Sequence, residues 1–253
     1  MLSLFGLFLL AVGIQAFLFV PAYYLKTDRF TDLSYGLTFI VLSFVSLQMT
    51  SNSVFKNLLF GMIILWALRL VGHLALRIRK LGNDPRFDSI RGDFWKFAAF
   101  WAFQGFAAWA ILLPSLFFFY KNDPSPSYLT IIGIWVWLAG FLIEAIADRQ
   151  KLEFRRDMNN KWIDSGLWAY SRHPNYFGEV LCWVGLYLFA FASLVPAERL
   201  FGLLSPILIA FLLLFVTGIP ILERLADKKW GRFRDYRDYK RRTSAFVPLP
   251  KLR

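Results

Sequence analysis

The chain has 253 residues, of which 57% are hydrophobic and 19% aromatic, and its formal net charge is +12. Its 18% of charged residues is lower than the share in an average soluble domain. Several apolar stretches reach the roughly 20 residues that a helix needs to cross about 30 Å of hydrocarbon. The composition therefore excludes an ordinary soluble domain and predicts an integral membrane protein.

Hydropathy predicts an all-α, polytopic bundle of about seven transmembrane helices. The predicted spans are residues 2–24, 36–49, 58–76, 97–119, 129–146, 177–194 and 200–222. The second is short and is weakened by Ser43, Ser46 and Gln48, and the third is interrupted by Arg69 and His73. Because no repeat or linker separates a second part, residues 1–253 are predicted to form one membrane domain.

The lysines and arginines predict the orientation of the chain. In this arrangement 25 of the 29 fall on one side of the membrane. The positive-inside rule then places the N-terminus outside and the basic C-terminus in the cytoplasm, with a bacterial inner membrane as the expected location. The basic face can bind anionic lipid or a polyanionic ligand. No nucleic-acid-binding module is recognised, and the oligomeric state stays open.

Cysteine and histidine content argues against a metal site. Cys182 is the one cysteine and lies in a predicted span, so we expect it to be a small core residue. The two histidines, His73 and His173, are too far apart in the sequence to indicate shared ligation. No metal is therefore predicted.

A polar stripe begins inside the end of the fifth span and continues beyond it, within residues 141–159. Its members recur at intervals of four, three and four, which places them on one helical face: Glu144, Asp148, Lys151 and Arg155. Ionisable groups at membrane depth usually mark function. An intrahelical ion pair between Asp148 and Lys151 is the alternative, and for Lys151 it is the favoured one.

A second motif, residues 164–179, leads directly into the sixth span. Gly166 predicts a turn, and Pro174 suits the first turn of the following helix. A helix N-terminus beside an arginine can bind a phosphate or a carboxylate. The residues expected to bind a ligand here are Arg172, His173, Asn175 and Glu179. For Tyr176 an interfacial aromatic belt is the favoured alternative.

The basic tail, residues 223–250, carries aromatic residues at helical spacing. Tyr236, Tyr239 and Arg242 are three residues apart and are predicted to share one face of a helix. Such a face could lie on the membrane surface or form the floor of a nucleotide pocket. The sequence does not separate these two interpretations.

The segment 166–179, which reads Gly-Leu-Trp-Ala-Tyr-Ser-Arg-His-Pro-Asn-Tyr-Phe-Gly-Glu, resembles the C-terminal signature of the steroid 5-alpha-reductase superfamily. The tail 239–248 resembles the end of a bacterial branch of that superfamily, the DUF1295 group. The loop 82–87 and the neighbourhood of Trp66 resemble the same branch. The likeness extends over roughly residues 58–250.

The resemblance implies a seven-helix fold that holds NADPH between the cytoplasmic halves of the later helices. Asp148 and Arg155 match positions that hold the nucleotide, and Asn175 and Glu179 match positions near the nicotinamide. The other cofactor-binding residues implied by the motif and the tail are Tyr170, Arg172, His173, Tyr236, Tyr239 and Arg242.

The positions that would bind the substrate match the superfamily less well than those that would bind the cofactor. Trp66 stands where the animal enzymes have a tyrosine that engages the substrate carbonyl, whereas Arg69 keeps its place. Glu144 replaces an asparagine, and the Gln-Glu pair of the animal enzymes is not found in the first two spans. The cofactor half is therefore the better supported.

The implied reaction is NADPH-dependent reduction of a carbon–carbon double bond in a hydrophobic enone or an isoprenoid- or steroid-like lipid that enters from the bilayer. The cofactor supplies the hydride, and a donor stabilises the enolate-like oxygen. Arg69 and His73, one turn apart, are the predicted catalytic residues. Charge neutralisation with Glu144 or Glu179 is the alternative for this pair.

Two other functions stay open. Membrane methyltransferases of the isoprenylcysteine carboxyl type share the Arg-His-Pro-x-Tyr-x-Gly core and bind S-adenosylmethionine, and their tail resembles Glu223, Leu225, Tyr236 and Tyr239. A non-enzymatic role in lipid binding or in a larger complex would need no soluble cofactor.

Overall fold

The computed structural model is built from α-helices. It describes residues 3–81, 87–88, 90–122, 124, 126–157 and 161–250, with the side chains of all of these except 32, 77–81, 156 and 157. The helices are α1 (Leu4–Tyr24), α2 (Arg29–Gln48), α3 (Val54–Leu81), α4 (Phe94–Phe119), α5 (Tyr128–Asp157), α6 (Pro174–Phe191), α7 (Pro196–Gly202), α8 (Leu204–Phe211), α9 (Ile219–Trp230) and α10 (Arg234–Arg242). A 3₁₀ turn (Gly166–Ala169) precedes α6, and a π-helical segment (Leu212–Val216) follows α8.

Six helical stretches of the described chain are long and apolar enough to cross a membrane. They are Leu4–Tyr24, Arg29–Gln48, Val54–Leu76, Phe94–Phe119, Tyr128–Arg155 and Pro196–Trp230. These stretches confirm the prediction of an all-α membrane protein. The predicted sixth span overlaps α6, which has 18 residues and lies outside these six. The total of seven spans and the orientation stay predictions.

The second span is longer than the sequence analysis predicted, because α2 begins at Arg29 rather than near position 36. Hydroxyl groups in its first turns bond to the helix's own backbone. Thr31 Oγ1 donates to the carbonyl oxygen of Asp28 at 2.6 Å, and Ser34 Oγ donates to that of Thr31 at 2.7 Å. Since these polar side chains are satisfied within the helix, they interrupt the hydropathy pattern without ending the helix.

The last predicted span, residues 200–222, is interrupted rather than continuous. It comprises part of α7, all of α8, the π-helical segment and the start of α9. The backbone at Gly218 approaches Leu213 so closely that a Cβ atom there would overlap the Leu213 carbonyl oxygen. The interruption therefore requires glycine, and Pro220 follows in the first turn of α9, where proline is tolerated.

The described helices divide into two compact units. The first contains Met1–Ile131 and Leu186–Ser205, and the second contains Ile132–Gly185 and Pro206–Arg253. That residues 1–253 form a single membrane domain stays a prediction.

In the first unit, α1, α2 and α4 share a buried polar network. Gln15 Nε2 donates to Thr38 Oγ1 at 2.8 Å, and Gln15 Oε1 lies 3.0 Å from Ser34 Oγ. Gln104 Nε2 donates to Gln15 Oε1 at 3.0 Å and to the carbonyl oxygen of Thr31 at 2.8 Å. An unpaired polar group at membrane depth is costly, so this network specifies how the three helices associate.

In the second unit, glycines bring the backbones of α5 and α6 into contact. A Cβ atom at Gly178 would lie 2.6 Å from both the Gly140 carbonyl oxygen and the Glu144 amide nitrogen. A Cβ atom at Gly185 would lie 2.5 Å from the Trp137 amide nitrogen. Small residues allow membrane helices to approach this closely. The contact places the polar stripe of α5 beside the first turns of α6.

Candidate functional site

Two buried acidic side chains of α5 face α6 in the second unit. Glu144 and Asp148 are only 3% and 7% exposed. Asn175 Nδ2, in the first turn of α6, donates to Asp148 Oδ1 at 3.2 Å. The Cys182 thiol, deeper in α6, lies 4.0 Å from Glu144 Oε2. The structure therefore brings together residues that were predicted from separate motifs.

The amide of Asn175 has a second polar atom at this contact. Asn175 Oδ1 is buried, and no residue of the described chain donates a hydrogen bond to it. A buried acceptor without a donor costs free energy. An N–H group of a bound ligand would therefore be stabilised at this position.

Arg172, at the N-terminal side of α6, is bound to the tail. Its Nε donates to Glu223 Oε1 at 3.0 Å, and its Nη1 donates to the carbonyl oxygens of Lys240 and Thr243, both at 2.7 Å. These carbonyls belong to the C-terminal end of α10, where the helix dipole favours a cation. The guanidinium group thus joins α6, α9 and α10.

Glu223 is the centre of this ionic cluster. In addition to Arg172, its Oε1 contacts His173 Nε2 at 2.9 Å, and its Oε2 contacts Lys240 Nζ at 3.0 Å. Lys240 also reaches Asp227 at 2.7 Å. From the sequence, Glu223 was indicated only as part of the methyltransferase-like tail, and this role was not predicted. The available signal was an acidic residue placed directly after the last apolar run.

The tail segment, residues 243–249, is fastened to the motif that precedes α6. Ser171 Oγ donates to the carbonyl oxygen of Phe246 at 2.7 Å, and the Arg172 amide donates to that of Ser244 at 2.8 Å. The Leu249 amide donates to the carbonyl oxygen of Tyr170 at 3.1 Å. Two regions that the sequence analysis treated separately therefore form one structural element.

Gly166 adopts a positive φ of 58°, which confirms the predicted turn. Its backbone packs against Gln150 of α5, whose side-chain amide would lie 2.5 Å from a Cβ atom at this position. The same amide accepts a hydrogen bond from the Leu167 nitrogen at 3.0 Å. The left-handed backbone favours glycine here, because other residues are strained at this φ.

The prediction that Tyr236, Tyr239 and Arg242 share one face of α10 is wrong. Tyr236 is only 3% exposed and Arg242 is exposed. A step of three residues falls short of a full helical turn, so positions 236 and 242 are separated by about 120° around the axis. The two tyrosines face the protein and the arginine faces outward.

Both tyrosine hydroxyls bond to the protein. Tyr239 donates to the carbonyl oxygen of Trp168 at 2.9 Å, and Tyr236 donates to Asp227 Oδ1 at 3.4 Å. The Tyr236 ring lies 5.3 Å from the Trp162 ring, centroid to centroid. Burial raises the pKa of both hydroxyls, so each keeps the proton that it donates.

The ten predicted cofactor-binding residues all belong to the second unit. Arg155 is exposed near the end of α5, Tyr170 is 50% exposed, and Glu179 is half-buried one turn after Asn175. The predicted catalytic residues Arg69 and His73 are partly buried in α3 and belong to the first unit. The roles of these residues stay predictions. Residues 82–86 of the loop motif and residues 158 and 159 of the stripe segment lie outside the described residues.

His173 is expected to make stability depend on pH. Burial lowers its pKa; the hydrogen bond to the Glu223 carboxylate opposes this, and the nearby charges of Lys151 and Arg172 add to the lowering. The folded protein thus keeps the imidazole neutral where the unfolded chain, with a pKa of about 6.5, takes up a proton. Stability should therefore be fully present above this pKa and be lost as pH falls towards the folded pKa.

The measurement is the thermal unfolding midpoint in detergent, recorded from about pH 7.5 to about pH 5.5, a range that avoids most carboxylate titration. A His173→Gln variant removes the titrating group and should have a smaller decrease in midpoint over this range. An equal decrease in the variant and the parent would show that another group is responsible.

Comparison with known proteins identifies the family. A family model described as "Protein of unknown function (DUF1295)" matches residues 18–243. The chain belongs to the DUF1295 family. Membership confirms the resemblance to the DUF1295 group that the tail, the loop 82–87 and the neighbourhood of Trp66 indicated. The link to steroid 5-alpha-reductases and to a bacterial branch stays a prediction.

A relative of the chain is an uncharacterised protein of Schizosaccharomyces pombe. The two sequences are 24% identical over 147 residues, which is 45% of this chain and 42% of the relative. The chain thus spans less than half the length of this relative. No solved structure matches the chain.

Proposed function

We propose that this DUF1295 protein is a membrane-embedded, NADPH-dependent reductase of a carbon–carbon double bond in a hydrophobic enone or an isoprenoid- or steroid-like lipid. The observation that carries the proposal is the hydrogen bond from Asn175 to Asp148. It joins the stripe on α5, which the resemblance assigns to the nucleotide, to the α6 motif, which the resemblance assigns to the nicotinamide.

The residues near this contact suit the two ends of NADPH. The buried Oδ1 of Asn175, which no described residue satisfies, is suited to accept a hydrogen bond from the nicotinamide carboxamide. Arg155 and Arg242 are exposed cations, and guanidinium groups pair well with phosphate. Arg172 would act indirectly, because its guanidinium already holds Glu223 and two tail carbonyls.

Bound NADPH would supply the hydride, and the chain would orient the reactants and exclude water. In this proposal Arg69 and His73 donate hydrogen bonds to the substrate oxygen as negative charge develops there. Alanine at both positions should abolish most turnover of an enone lipid. Undiminished turnover in that double variant would contradict the role.

One observation favours a second function, S-adenosylmethionine-dependent methyl transfer. The guanidinium of Arg172 in the Arg-His-Pro core is bound by protein groups, and S-adenosylmethionine, unlike NADPH, presents no phosphate for it to bind. Glu223 and Lys240 of the tail are part of the same cluster. The two enzymatic functions differ in the cofactor that should stabilise the folded protein.

The test is thermal stabilisation of the detergent-purified protein by NADPH, NADH and S-adenosylmethionine in parallel. A ligand at about 100 times its dissociation constant stabilises the folded state by about 2.7 kcal/mol. We expect this shift with NADPH and its loss in Asn175→Ala. The matched control is Asn57→Ala, an exposed asparagine in α3 of the first unit, which should keep the full shift.

The other outcomes separate the remaining functions. A shift with S-adenosylmethionine alone would support methyl transfer, and no shift with any of the three would support the non-enzymatic role. An NADPH shift that persists in Asn175→Ala would place the cofactor elsewhere.

A further inference from the structure

The α9–α10 segment forms a strongly cationic helical hairpin in the second unit. Residues 224–242 contain nine lysines and arginines and three aspartates, which leaves an excess of six positive charges. Most of the cations are exposed: Arg224, Lys228, Lys229, Arg232, Arg234, Arg237, Arg241 and Arg242. Some of the aspartates form ion pairs within the hairpin, as Asp227 does with Lys240.

The turn of the hairpin is held in place by hydrogen bonds and aromatic packing. Arg237 Nη1 donates to the carbonyl oxygens of Gly231 and Arg232, both at 3.0 Å. The ring of Tyr236 lies 6.0 Å from that of Trp230, centroid to centroid. Because these contacts fix the backbone of the turn, the cationic residues beside it project from fixed backbone positions. We call Lys228, Lys229 and Arg232 the cationic corner.

The cationic corner lies at the end of a candidate membrane span, which finishes at Trp230. From Leu222, the last residue of the apolar run, α9 rises about 12 Å to Trp230. The headgroup region extends about 5–8 Å beyond the hydrocarbon, and long basic side chains reach several ångströms further. Arg232 stacks on the half-exposed ring of Phe233 at 4.9 Å, so its guanidinium group is held beside an apolar side chain.

We propose that the cationic corner binds the phosphate of an anionic phospholipid in the adjoining leaflet. The charge excess, the fixed turn and the position at the end of a membrane span are the three observations that favour this ligand. Each basic residue near an anionic leaflet strengthens association roughly fivefold. The proposal concerns residues outside the proposed cofactor site and does not depend on the reductase function.

The experiment measures apparent dissociation constants of single lipids by native mass spectrometry of the full-length protein in detergent. The probes are phosphatidylglycerol and phosphatidylcholine with identical acyl chains. The corner variant is Lys228→Gln/Lys229→Gln/Arg232→Gln. The matched control is Lys26→Gln/Arg29→Gln/Lys96→Gln, which removes the same charge from exposed positions of the first unit.

We expect the parent and the control variant to prefer phosphatidylglycerol, and the corner variant to lose affinity for it on the order of 100-fold. Equal binding of the two lipids would overturn the proposal, as would equal losses in both variants. Displacement of phosphatidylglycerol by millimolar inorganic phosphate would also overturn it, because the site would then be a general anion site. If the triple variant does not fold, the single Arg232→Gln variant should lose roughly fivefold.

Discussion

A Gly178→Ala variant is expected to be less stable than the parent by about 2–3 kcal/mol. The added Cβ atom would lie 2.6 Å from backbone atoms of Gly140 and Glu144. Backbone atoms, unlike the end of a flexible side chain, cannot move without separating the helices. The measurement is reversible unfolding of the purified protein in mixed detergent micelles, monitored by far-UV circular dichroism.

The chain provides a matched control for this variant. Gly61 lies in α3, and a Cβ atom there would meet nothing within 4 Å. Gly61→Ala should therefore leave stability unchanged or raise it by up to about 1 kcal/mol through helix propensity. Gly140→Ala, on the opposite side of the contact, should resemble Gly178→Ala. Equal stability of Gly178→Ala and Gly61→Ala would contradict the close packing of α5 and α6.

The close packing of α5 and α6 at Gly178 also positions the candidate site. Asn175 reaches Asp148 because α6 lies directly against α5, so a shift of α6 by even one ångström should break this hydrogen bond. We therefore expect Gly178→Ala to lose the NADPH-dependent stabilisation as well. A destabilised variant with the full NADPH shift would separate the helix packing from the cofactor site.

A Glu223→Gln variant is expected to lose about 2–3 kcal/mol of stability and to release the tail segment. The side chain keeps its size but loses the charge that holds Arg172, His173 and Lys240. Glu223 and Arg172 are 16% and 14% exposed, so the remaining cations would be left largely out of solvent. The partial exposure places the effect below that of a fully buried pair.

Two measurements check this prediction. The thermal unfolding midpoint reports stability, and the rate of trypsin cleavage after Arg241 and Arg242 reports local opening of the tail. The control is Glu153→Gln, whose pair with Arg149 is an exposed contact within α5 and should contribute little. If cleavage of the tail is no faster in Glu223→Gln than in Glu153→Gln, the cluster does not fasten the tail.

How accurately a feature could be predicted depends on how far apart in the chain its interacting residues lie. The apolar runs of α1, α4 and α5 begin or end within a few residues of their predicted positions, because hydropathy is a local property of the chain. The prediction was less accurate for α2, where hydroxyl groups bond to their own helix. Local hydropathy cannot distinguish such satisfied polar residues from those that end a helix.

The amino-acid sequence was enough to predict that the protein is helical and membrane-embedded, that Gly166 makes a turn, and that costly polar residues gather on α5 and before α6. These properties follow from composition and spacing over a few helical turns. The three-dimensional packing was needed to show that Arg172 binds Glu223, 51 residues away, that the tail is fastened to Ser171, and that Gly178 is in backbone contact with α5. Such contacts depend on how separate helices pack, and residue spacing along one helix carries no information about them.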